Sequence, residues 1–180
     1  TNGATPGSGA PASVTWDAAA IWSAESDGVT PTWPWISGAR AALSAGADAG
    51  SPAITVDGVV VIGGLAVEEG NPVLSGGTLS FAGPSAVFEI GSHTVIASGV
   101  TGNDLIKTGV GTLELSGMVS LTSGATVTQG PLVLNGSLSG DLIVSSGASL
   151  AGSGTASGNV SLSGTLAPGS GVGTLTTGPL

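Results

Sequence analysis

The sequence predicts an all-β fold built as a parallel β-solenoid, and three observations predict it. Short runs of alternating apolar and polar residues recur from Ala53 onward, each closed by Gly, Asn-Gly, Ser-Gly or Pro. A period of two marks strands rather than helices. The runs are no more than five residues long and follow one another too closely for a conventional sandwich or barrel. Strands that short need neighbours, and stacked coils supply them. Third, a phrase repeats: Ser123-Gly-Ala-Thr-Val127, Ser146-Gly-Ala-Ser-Leu150 and Ser163-Gly-Thr-Leu166. The intervals suit one solenoid coil each, and we expect roughly five coils. An antiparallel sandwich with irregular turns is the competing architecture.

The elements follow in chain order. Residues 1–50 read as a tail followed by a Trp-rich N-terminal cap, and 51–180 as the solenoid. All four tryptophans, Trp16, Trp22, Trp33 and Trp35, lie in the first segment. Pro34 between the last two favours an extended or turning path. Arg40 to Ser44 is Ala-rich and reads as a helical turn. The strand runs then start at Ile54–Val56 and continue through Val73–Leu74, Thr78–Phe81, Val87–Ile90, Thr94–Ile96, Thr112–Leu115 and Val119–Leu121. Thr126–Thr128, Leu132–Leu134, Leu142–Val144, Val160–Leu162 and Leu166 complete the series. Gly and Asn between runs supply corner residues.

Composition excludes several functions. The 180 residues include 33 Gly but only 2 basic and 11 acidic residues, for a net charge of −9. Two cations cannot track a nucleic-acid backbone. Without cysteine there is no disulfide framework and no thiolate metal site. No apolar run is long enough to span a membrane as a helix. The start, Thr1 to Ser13, has neither the basic nor the apolar part of a signal peptide.

The stretch Leu105-Ile-Lys107-Thr-Gly109-Val-Gly111-Thr-Leu113-Glu-Leu115-Ser-Gly117 resembles the passenger-associated transport repeat of bacterial autotransporters. Gly124-Ala-Thr-Val127 and Gly130-Pro-Leu-Val-Leu134 continue that pattern, so the repeat runs from about 105 to 134. Met118 to Ser123 replace the family's usual insert. The resemblance extends through Gly164-Thr-Leu-Ala-Pro-Gly169 and, upstream, to Trp16-Asp17 and Val56-Asp-Gly-Val59. It implies a right-handed solenoid on the surface of, or secreted from, a bacterium. Read physically, Leu113 and Leu115 point inward and Glu114 outward. Asp104 and Lys107 are expected to flank a turn and pair on the surface.

The chemical candidates are few. His93 is the only histidine, and no nucleophile elbow accompanies it, so it reads as a surface or corner residue. Glu68-Glu69 is the only adjacent acidic pair, and its members would face opposite ways or be solvated. No cofactor and no metal site is expected, because the acids Asp17, Glu25 and Asp27 match no calcium loop. The tryptophans read either as a plug over the open end of the solenoid or as a sugar platform, the plug being favoured. The function expected is therefore non-enzymatic: an extracellular stalk, spacer or adhesion scaffold. The alternatives are a fibre subunit polymerising through solenoid ends or edges, and a polysaccharide-binding module. The corresponding partners are further copies of the chain, head to tail or lateral, and cell-surface glycans.

Overall fold

The computed structural model describes residues 13–16, 22, 33–43, 50–168 and 174–179. Among them the chain forms strands and no helix. The strands are β1 (Val14–Trp16), β2 (Arg40–Leu43), β3 (Ala53–Val61), β4 (Gly64–Val67), β5 (Val73–Ser80), β6 (Ala86–Ile90), β7 (Thr94–Ile96) and β8 (Gly99–Thr108). They continue as β9 (Leu113–Leu115), β10 (Met118–Val127), β11 (Gly130–Leu134), β12 (Ser137–Val144), β13 (Ala148–Gly152), β14 (Thr155–Ala156), β15 (Val160–Leu162), β16 (Thr165–Pro168) and β17 (Thr176–Thr177). Every pairing between them is parallel. The result is a β-solenoid of about six turns, one more than the sequence led us to expect. At about 4.8 Å per rung the stack is roughly 30 Å tall.

Three parallel sheets wrap one core. The first stacks β1, β3, β5, β7, β9, β11, β13 and β16. The second takes the later halves of β3 and β5, then β8, β10, β12, β14 and β17. The third runs β2, β4, β6, the later parts of β8, β10 and β12, and β15. Alternation sets which residues enter the core. The second sheet contributes the column Val60, Leu79, Val100, Val119, Leu138 and Ala156, all buried. The first contributes Ile54, Leu74, Ile96, Leu115 and Leu134. Each inward side chain therefore packs on the residues of the coil above and the coil below.

Corners decide whether the columns stay aligned. Gly58 has a φ of +62°, where β3 bends from the first sheet to the second and its register with β5 shifts. A side chain is disfavoured there because the left-handed region crowds its Cβ. The same corner farther down excludes side chains by contact. A Cβ on Gly117 would sit 2.2 Å from the carbonyl oxygen of Ser98, one on Gly136 2.0 Å from that of Gly117, and one on Gly154 2.2 Å from that of Gly136. These glycines form a seam along which successive backbones touch.

One expectation is corrected and one is filled in. Arg40 to Leu43 is a strand, not a helical turn, because it pairs in register with β4 and buries Ala41. Met118 to Ser123, in place of an insert, extend β10 as one strand across the corner between the second and third sheets, with an irregular step between Leu121 and Gly124.

Candidate functional site

Two groups of residues stand out from the ladders: the repeat motif and the tryptophan cluster. In the motif, Leu105 and Lys107 lie in β8, Leu113 and Leu115 in β9, with Gly109 and Gly111 at the corner between them and Gly117 at the next. Leu105, Leu113 and Leu115 are buried, as their alternation requires. Gly109 has a φ of +79°, and a Cβ on Gly111 would lie 2.4 Å from the Ser92 carbonyl oxygen.

Lys107 departs from expectation. It makes no surface pair with Asp104. It points into the core with 0% exposure, at an inward position of the third sheet whose neighbours above and below are Phe88 and Val127. Its parity with Leu105 puts it there. The ammonium Nζ donates to the carbonyl oxygens of Gly109 at 2.9 Å, Gln129 at 2.8 Å and Thr108 at 3.4 Å. No carboxylate pairs with it among the described residues. Burial lowers its pKa from 10.5 to about 8, since a charge loses hydration inside the protein.

Glu114, on the outer face of β9, collects polar partners. Ser116 Oγ and Asn135 Nδ2 donate to its Oε1 at 2.9 and 3.0 Å, and His93 Nε2 stands 3.6 Å from Oε2. Partial burial pushes its carboxyl pKa up, but the Asn135 and Ser116 hydrogen bonds and His93 outweigh that, leaving it below the usual value. The next coil continues the chain of contacts: the Ser153 backbone N donates to Asn135 Oδ1 at 3.2 Å. Asp141 and Asn159 make a similar staple, with the Asn159 backbone N donating to Asp141 Oδ1 at 2.9 Å. The sequence reading did not single out these corner staples. Their signal was an Asn or Asp beside a corner glycine.

At the N-terminal end, Trp16 occupies β1 beside Val56 of β3 and is fully buried. Trp22 and Trp33 exchange two backbone hydrogen bonds, at 3.1 and 2.6 Å. The rings of Trp16, Trp22 and Trp35 form a triangle with centroids 4.7 to 4.9 Å apart. Trp35 Nε1 donates to the Val61 carbonyl oxygen at 2.8 Å, tying the triangle to the second sheet. Trp16 Nε1 and Trp22 Nε1 have no partner among the described residues, so those two rings are held by packing. Trp33 stands apart and is 58% exposed. The structure thus brings three of the four tryptophans together.

The remaining candidates stay dispersed. Glu68 and Glu69 are both exposed. Arg40 pairs with Glu89 of β6 at 2.5 Å on the outer face of the third sheet. Among the described residues no group of three or more acids or histidines could hold a metal ion, and no helix is long and apolar enough to cross a membrane. Asp17, Glu25 and Asp27 lie outside the described residues.

The described residues thus form a charge-poor parallel solenoid with an apolar ladder and glycine corners. The chain is similar to a curated protein, the "Adhesin BmaC autotransporter" of Brucella suis biovar 1 (strain 1330), with 34% identity over 165 residues. The match takes in 86% of this chain and 5% of that protein, so the chain spans about a twentieth of its relative's length. No family model matches the chain. No solved structure matches it. Fold and similarity together fit an autotransporter passenger repeat.

Proposed function

We propose that the chain is an extracellular, autotransporter-type passenger segment that serves as a non-enzymatic adhesion scaffold. The observation that carries this reading is the similarity over 86% of the chain to an autotransporter adhesin, on a fold whose described residues are spent on ladders and corners. In this reading the tryptophan triangle plugs the first coil. The full burial of Trp16, the packing of the half-buried Trp22 and Trp35 against it and the tie to Val61 favour a plug, because a sugar platform needs ring faces open to solvent. The same similarity supports a surface or extracellular location. Beads coated with the purified chain, scored for attachment to cultured epithelial cells against beads coated with heat-unfolded chain, test the scaffold. Fold-dependent attachment supports it, and equal attachment by both coatings overturns it.

A second reading, binding of neutral glycans, rests on Trp33, which leaves the triangle and exposes more than half its surface. It predicts that Trp33→Ala removes binding to a glycan array while the fold is retained. Head-to-tail polymerisation is less favoured, since the plug occupies the end that a second copy would have to meet.

A further inference from the structure

The ladders that hold this solenoid together carry little information about register. A strand that slips by two residues against its neighbour keeps every side chain on its proper face. In β8 and β10 such a slip still sets Leu, Val and Ala against one another, because Leu105, Ala125 and Val127 are all apolar and buried. Phrases of similar composition recur 23 and 17 residues apart, close to the 18 to 22 residues bridged by hydrogen bonds from one coil to the next. Apolar burial alone therefore distinguishes the native pairing from its slipped relatives only weakly.

Lys107 is the exception in its column. The other buried positions of that column are Ala41, Leu65, Phe88, Val127 and Val144. It is the one buried charged residue among the described residues. Two of the carbonyls it contacts, those of Thr108 and Gly109, come from its own coil and travel with it in any slip. The third, that of Gln129, belongs to the next coil, just past the end of β10. The same coil is tied to Lys107 a second time, by Thr128, whose backbone N and Oγ1 both donate to the Lys107 carbonyl oxygen at 3.0 and 2.9 Å.

We propose that Lys107 is a register-setting residue: its buried ammonium is satisfied only when the β10 coil pairs with β8 in the native alignment. A two-residue slip removes the Gln129 carbonyl and leaves a buried charge short of a partner, which is among the costliest defects a core can hold. A single buried polar group that fixes alignment at some expense of stability is an established use of such groups.

The chain has no cysteine, so introduced pairs report alignment directly. Ile106 and Thr126 are native register partners on the outer face; Ile106 and Thr128 become partners after a two-residue slip. Each pair, as I106C/T126C or I106C/T128C, is placed in the full chain with Lys107 or with K107M, unfolded in denaturant, refolded and oxidised. With Lys107, only the native pair is expected to close. With K107M, the chain is expected to regain its β-sheet circular dichroism, while the slipped pair closes in a fraction comparable to the native pair. Closure of the native pair alone in K107M overturns the proposal. So does loss of the β-sheet signal in K107M, since the ammonium would then hold the fold itself rather than choose its alignment.

Discussion

Lys107 makes a residue-scale prediction whose sign follows from its pKa. The group is at 10.5 unfolded and about 8 folded. The unfolded chain therefore binds more protons between those values, and stability rises with pH across that window. Below about pH 8 the native state carries the full cost of the buried charge. The gap corresponds to about 3 kcal/mol. Lys107 is the only lysine, and the chain has neither cysteine nor tyrosine, so no other side chain obscures the window. Urea unfolding of the native sequence should show stability climbing from pH 8 to 10.5, and K107M should be flat. Glu114 works in the opposite direction. Its folded pKa lies below its ordinary 4.5, so it stabilises the fold above that pH and loses the effect as pH falls through the folded value. E114Q should remove that acid-side decline, a change below about 1 kcal/mol for so accessible a group. The seam glycines are less forgiving. Gly136→Ala should cost about 2–4 kcal/mol because its Cβ meets backbone at 2.0 Å. Gly83→Ala, whose nearest neighbour would be 3.6 Å away, should change the melting temperature little.

At the scale of elements, the tryptophan triangle predicts an asymmetry. Trp16→Ala removes a fully buried ring and should destabilise the chain by about 3–5 kcal/mol, with exchange protection of β1 amides lost first. Trp33→Ala should leave the unfolding midpoint almost unchanged. Most strands were legible in the sequence. Val87–Ile90 and Thr112–Leu115 announce themselves by alternation, and Gly or Asn marks their ends. Gly64–Val67 was not, because all four of its residues are buried and an unbroken small-apolar run shows no period of two. Arg40–Leu43 misled through its alanines: four residues are too few for propensity to decide, and pairing with β4 decides instead. Lys107 was legible in principle. It shares parity with Leu105, so the pattern already placed it inside, but its charge argued for solvent, and no sequence pattern displays three carbonyls from two coils. The Glu114–Asn135–Ser153 chain was hidden for a similar reason, since its members come from three different coils.

For the whole molecule, coil-on-coil pairing means that each turn touches only the turns beside it. Stability is then a sum of neighbouring interfaces rather than one indivisible core. The tryptophans at one end and the short β17 at the other make the two ends unequal, and unfolding should begin at the end with less to bury. Hydrogen exchange should report protection falling from the central coils, around β8 to β12, toward β15 and β17. The same arrangement has a mechanical meaning. A stack that unfolds by neighbours, pulled from its two ends, yields turn by turn instead of all at once. Each released turn adds roughly 60 Å of slack, at about 3.3 Å per extended residue. Stretched between two anchored points, the solenoid would behave less like a rigid strut than like a cord that lengthens in steps, dissipating load at each one.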